Sequence, residues 1–207
     1  MREGTSMVKP MRADARRNLE QILLAARDLV AERGPDVPLD DIARHAGVGS
    51  ATLYRRFPDR DALLHEVALD ALTRTAAAAG AAAAQEGDRF EALARYLREA
   101  LELRVSAVLP VLLDVLDLDN DPSLTPVRDK TARLVRRLIA DAHAAGALSP
   151  DVTFMDVVTM LVRIARPLPG PLTAEAKHAL ARRHLELFIR GLRAMSTPPD
   201  GVEQLVS

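Results

Sequence analysis

Apolar side chains recur along this chain at intervals of three and four residues. Between Arg16 and Arg33 they fall at Leu19, Ile22, Leu23, Ala26, Leu29 and Val30, the spacing of one helix face. Gly34-Pro35 ends that run. Ile42, Ala43 and Ala46 predict a short second helix, opened by Pro38 with Asp40 and Asp41 at its positive end. Gly47-Val48-Gly49 breaks it, and a third helix begins near Ser50. Asp59 is placed to cap a long fourth helix running through Leu63, Leu64, Val67, Leu69 and Leu72 into the alanine tract 75–84. Asp88 caps a fifth, with Phe90, Leu93, Leu97 and Leu101 inward, interrupted or restarted at Pro110. An acidic, turn-rich segment follows at 119–126. A further helix runs from Val127 to His143 and stops at Gly146. Ser149-Pro150-Asp151 is expected to cap the next, which ends in the proline-rich stretch 166–172, and the last spans Thr173 to Met195. Period-two alternation is not sustained anywhere, so strands are not expected. The fold class is therefore all-α, with about nine helices.

Two of these helices are apolar over more of their circumference than a single core needs. Phe154, Met155, Val157, Val158, Met160, Leu161, Val162, Ile164 and Ala165 leave only a thin polar stripe. In the last helix Leu180, Ala181, Leu185, Leu187, Phe188, Ile189 and Leu192 do the same. A surface helix requires an apolar stripe of only about 100°, so the excess predicts a second buried surface, most simply against another copy of the chain. The residues assigned to it are Met160, Leu161, Ile164, Ala181, His184, Leu185, Phe188 and Leu192.

Composition narrows the function. The 207 residues are 48% apolar and 28% charged, as in a globular protein. Without cysteine there is no disulfide, thiolate metal site or cysteine nucleophile. No apolar run approaches the ~18 residues of a membrane span, so a cytoplasmic protein with no membrane partner is expected. Metal-binding histidine spacing, phosphate-binding glycine loops and nucleophile elbows are missing from the sequence, so neither an enzyme nor a cofactor is expected. The net charge of −1 is uninformative, but its distribution is not: Lys9, Arg12, Arg16 and Arg17 oppose Asp14 alone, and Arg44, Arg55 and Arg56 are unopposed between 42 and 58.

The segment GVGSATLYRRFPDRDALL, residues 47–64, draws these threads together. Three helices with a glycine-containing turn between the second and third describe a helix-turn-helix. On a helical projection Leu53 and Phe57 point inward, while Ala51 and Arg55 point outward between Thr52 and Tyr54. A small, hydroxylic and cationic face suits entry into a DNA major groove. Gly49 at the N-cap leaves backbone N–H groups open.

Residues 16–66 resemble the DNA-binding domain of the tetracycline-repressor (TetR) family, through ILLAARDLVAERG, DIARHAGV, TLYRRF and DRDALL. That resemblance implies a basic arm over 1–15 and a helix-turn-helix domain over 16–60. It implies a helical ligand-binding and dimerisation domain over 61–195 and a loose tail over 196–207. It also implies a homodimeric repressor released from a double-stranded operator by a small-molecule effector. Gly49, Ser50, Ala51, Thr52, Tyr54, Arg55 and Arg56 fall at DNA-contacting positions, with Ser50, Ala51, Thr52 and Arg55 assigned to base edges and Tyr54 to a phosphate. Arg60 falls at a backbone-contacting position, and Arg16 and Arg17 lie near phosphates at the start of the first helix. Pro38 stands where a capping Ser or Thr is usual, and Arg56 where His is frequent. A ligand-independent or activating DNA binder remains the alternative, and an all-α enzyme a remote one. His184, His143 and Arg163 are the polar groups weighed as effector contacts. Packing within an interface for His184, a helix dipole for His143, and pairing with Asp156 or Asp114 for Arg163 are the simpler accounts.

Overall fold

The computed structural model describes the backbone of residues 8–195 except 86, 113 and 114, with side chains from residue 14 onward and residue 85 also excepted. The side chains of Lys9 and Arg12, Asp114, and the tail 196–207 lie outside the described residues. Among those residues there are nine helices: α1 Val8–Arg33, α2 Leu39–His45, α3 Ser50–Arg56, α4 Arg60–Gln85, α5 Arg89–Glu102, α6 Val105–Leu112, α7 Leu124–Ala144, α8 Phe154–Ala165 and α9 Ala174–Ala194. The fold is all-α. Helix α1 starts at Val8, so residues 8–15 of the stretch read as an arm continue the helix.

Local chemistry accounts for most of the ends. Asp88 accepts from the N–H groups of Phe90 and Glu91 at 2.8 and 3.1 Å, and Asp59 from Ala62 at 2.8 Å, each satisfying donors the first turn leaves free. Three boundaries differ from the sequence reading. Helix α5 breaks at Leu103-Arg104, where Arg104 takes φ 54°, and Pro110 lies inside α6. Helix α7 begins at Leu124, because Pro126 falls in its first turn, where a missing N–H costs nothing. Helix α8 is capped by Thr153 in a reciprocal box with Asp156 rather than by residues 149–151.

Packing divides into two cores that share α4. Ile22, Leu29, Ile42, Leu53 and Phe57 of α1–α3 pack with Leu63, Leu64, Val67 and Leu72 from the first half of α4, and with Val108 and Leu112 of α6. Ala78, Ala79 and Ala82 from its second half pack with α5, α7, α8 and α9. A 26-residue helix extends roughly 40 Å, so one element is anchored in both cores. The N-terminal core does not stop at residue 60; it includes α4 through Leu72 and one face of α6.

Polar links reinforce this junction. Arg27, 5% exposed, donates from α1 to the Leu103 carbonyl and lies 3.8 Å from Asp70 of α4. Arg104 reaches back to Asp28 at 3.3 Å and Glu32 at 3.9 Å. Early in α4, His65 meets Asp121 at 3.1 Å and the Ser123 hydroxyl at 2.9 Å.

Asp121 also accepts from the Ser123 hydroxyl and from the N–H groups of Leu124 and Ser123. These bonds, the Ser123 hydroxyl first and then the Leu124 amide, hold its pKa at about 2 against an ordinary 3.8. A depressed folded-state pKa contributes stability above the unfolded value, and that contribution is lost as pH falls through the folded one. Asp121→Asn is therefore expected to flatten the decline of melting temperature between about pH 4 and pH 2. An unchanged acid slope in thermal melts would remove Asp121 from the account.

Candidate nucleic-acid interface

The turn between α2 and α3 is built by Gly47. Its φ of 68° is the left-handed conformation that ends helices. The Val48 N–H bonds the Ala43 carbonyl at 3.0 Å and the Gly47 N–H that of Arg44 at 3.2 Å, so two otherwise orphaned carbonyls of α2 are satisfied. Gly49 differs: its φ of −68° and ψ of 140° suit any residue, and nothing lies within 4 Å of where a Cβ would stand. What glycine contributes there is an open approach to the start of α3.

Helix α3 is then oriented by two apolar anchors. Leu53 is 0% and Phe57 4% exposed, which turns Ser50, Ala51, Tyr54, Arg55 and Arg56 outward and leaves Thr52 half-buried. The inward–outward division expected from the helical projection is the one observed. Among the described residues, Tyr54, Arg55 and Arg56 have no hydrogen-bonding or ionic partner.

The other predicted cations lie around this face but are compensated. Arg16 pairs with Glu20 at 3.2 Å, and Arg17 with Asp14. Arg60 donates to Asp36 at 3.0 Å while its Nε is buried without a partner. Arg44 pairs with Asp41. The start of α1 and α3 nevertheless enclose one groove of about 740 Å³, lined by Arg16, Asn18, Thr52, Arg55 and Arg56 among others. Arg16 and the α3 arginines are thus brought onto one surface. Sequence reading named Asp14 as the opposing charge but missed Glu20, Asp41 and Asp36 as partners. Arg16–Glu20 and Arg44–Asp41 each lie within a single helix and look like ordinary surface charge, while Asp36–Arg60 spans 24 residues. Pro38 caps α2 with no side-chain bond, as its chemistry requires.

A three-helix unit presenting a cationic, hydroxyl-bearing helix on a larger helical body defines a DNA-binding regulator of the helix-turn-helix class. Residues 22–67 match the family described as bacterial regulatory proteins, tetR family, and residues 88–194 match the SbtR-like transcriptional regulator C-terminal domain. The chain belongs to the TetR family of transcriptional regulators. The TetR regulator SCO0520 of Streptomyces coelicolor is 30% identical, with 84% of this chain and 98% of that one covered and a TM-score of 0.60. A TetR regulator of Mycobacterium vanbaalenii is also 30% identical, covering 89% and 99% at a TM-score of 0.58. LfrR of Mycobacterium smegmatis, solved in complex with proflavine, shares the fold at 23% identity over 83% and 95% with a TM-score of 0.56. No curated protein matches the chain. No described helix is long and apolar enough to cross a membrane, and no described cluster of His, Asp or Glu is arranged to hold a metal ion.

The residues assigned to a second-copy interface separate into two groups. Leu161, Leu185 and Leu192 are 3%, 1% and 4% exposed and belong to the chain's own core, so they are not available to a partner. Ile164, Ala181 and Phe188 are half-buried against that core. Met160 and His184 are exposed. The ridge of α9 that faces away from the core is instead His184, Leu187, Gly191 and Met195, with half-buried Leu180 in line one turn earlier. Counted from Leu180 they fall at i, i+4, i+7, i+11 and i+15, with Leu187 56% and Met195 57% exposed. An arc wider than half a helix carries no phase information, and the sequence reading placed the outward ridge one residue away.

The groups weighed as effector contacts scatter. Arg163 is exposed, and Asp156 is committed to capping α8 through Thr153. His143, in the last turn of α7, has Nε2 buried without a partner.

Proposed function

We propose that this TetR-family regulator is a homodimeric repressor that reads a pseudo-palindromic operator and leaves it when a small molecule binds. The observation that carries this reading is α3 itself: a helix held rigidly by Leu53 and Phe57 whose outward Tyr54, Arg55 and Arg56 are unpaired. Unpaired guanidinium groups need no internal bond broken before they meet DNA. Ser50, Ala51, Thr52 and Arg55 face base edges, while Tyr54, Arg56 and the start of α1 with Arg16 and Arg17 face phosphates. Arg60 must share its guanidinium with Asp36. The unpartnered α9 ridge supports a dimer, which would set two copies of α3 about one duplex turn, ~34–36 Å, apart.

Selection of bound duplexes from a random library, followed by fluorescence anisotropy across a salt series, tests this reading. A palindromic consensus bound with a steep fall of log K on log salt is expected, whereas the absence of any enriched sequence would overturn it. On the selected duplex, Arg55→Ala is expected to lower discrimination against random DNA by about 1–3 kcal/mol. Equal losses on both duplexes would reassign Arg55 to a phosphate. Transcription from a promoter carrying the selected site separates repression from activation by its sign.

A further inference from the structure

The C-terminal end of α1, one face of α6 and the connection from α8 to α9 enclose a groove of about 970 Å³, near the upper end for small-molecule sites. Its lining is only slightly more apolar than polar, the apolar part being Val30 and Ala31 from α1, Ala107, Pro110 and Val111 from α6, and Val162, Leu168 and Leu172 beyond. Four charged residues accompany them at this groove: Glu32, Arg33, Arg166 and Lys177. The first two are compensated, Glu32 by Arg104 at 3.9 Å and Arg33 by Asp41 at 3.3 Å. The side chains of Arg166 and Lys177 have no hydrogen-bonding or ionic partner among the described residues. A smaller recess lined by Arg104, Arg166, Lys177 and His178 shares part of this wall. The groove therefore sets apolar wall beside two spare cations, a mixed lining complementary to an amphipathic anion.

Building on the repressor reading, we propose that this groove is an effector site for amphipathic carboxylates, with Arg166 and Lys177 holding the carboxylate and the α6 and α8–α9 walls holding the apolar body. Its position gives it a direct route to DNA. An occupant touches Val30 to Arg33 at the end of α1 and Gly34-Pro35 just beyond it, and the N-terminal half of the same α1 shares a groove with Arg55 and Arg56. It also touches α6 just beyond Arg104, the residue with φ 54° that pairs with Asp28 and Glu32 of α1. A non-glycine residue held in that region stores strain, and a shift of α6 against α1 alters the constraint that holds it there. A ligand here would bias α1 directly, and by linkage DNA would alter ligand affinity by the same factor.

The test uses the full chain with decanoate as probe, and decan-1-ol and decylamine as neutral and cationic controls of matched length. Titration calorimetry is expected to give saturable decanoate binding at least about tenfold tighter than either control. Arg166→Ala with Lys177→Ala should weaken it by about tenfold or more while leaving the thermal melt and affinity for the selected duplex unchanged. Decanoate should shift duplex affinity of the unaltered chain and not that of the double variant. Because duplex affinity without decanoate is read separately, its retention alongside failed decanoate binding leaves the repressor reading standing and sinks this one. Equal binding of all three probes, undiminished binding by the double variant, or an unmoved duplex affinity at saturating decanoate would each overturn the proposal.

Discussion

Leu180 and Leu187 replaced together by Asp are expected to convert the protein to a monomer and to weaken operator binding by at least about a hundredfold. Both lie on the outward ridge of α9, where Leu187 is 56% exposed and Gly191, one turn on, permits close approach of a second helix. A carboxylate left in an apolar interface costs several kcal/mol unless it is paired, and two related by a two-fold axis face their own copies. Losing the dimer also removes the second half-site, an avidity loss on the order of 10²–10⁴. Light scattering after gel filtration reads the assembly, and anisotropy reads the DNA. The helical spectrum and melt should stay near those of the unaltered protein, because neither residue belongs to the chain's own core. A dimer that persists would mean copies meet elsewhere. Leu185, two residues earlier than Leu187, makes the contrast: it is 1% exposed, and truncation to Ala is expected to cost about 2–5 kcal/mol through the cavity it leaves.

Asp70→Ala is expected to destabilise the fold by about 3 kcal/mol, within the range for removing one member of a buried ion pair. Arg27 is almost fully buried between α1 and α4; burial pulls its pKa down, Asp70 holds it up and Arg74 opposes. Asp70 also receives both of its oxygens' bonds from Arg74, at 2.9 and 3.0 Å. Removing the carboxylate leaves two guanidinium groups without the anion they share, one of them cut off from water. Arg27→Met in the Asp70→Ala background is expected to recover much of the loss, because an apolar replacement no longer needs a counter-charge. Chemical denaturation of the two single variants and the double variant closes the cycle. A loss under about 0.5 kcal/mol for Asp70→Ala would place the charge balance of Arg27 elsewhere.

Helix α3 was legible because its signal is local. A glycine turn, two apolar residues four apart and a cationic outward face occupy eleven consecutive positions, 47–57, and the structure keeps each in its expected orientation. Capping at Asp59 and Asp88 was legible for the same reason, since a cap acts within three residues. The outward ridge of α9 was not, because apolar residues crowd more than half its circumference and period alone cannot say which side meets the core. Pairs such as Arg27 with Leu103 or His65 with Asp121 were invisible too, being separated by 76 and 56 residues.

By itself the sequence determined an all-α chain, the helix-turn-helix and the face of α3 turned outward, since short-range periodicity, turn chemistry and capping are encoded by neighbours a few residues apart. Only the tertiary structure decided which ridge of α9 is free, that α6 is packed into the N-terminal core, and that residues near 30, 110 and 170 enclose one groove. Those facts depend on how helices distant in sequence pack together, and packing is set by the joint fit of many side chains rather than by any local run.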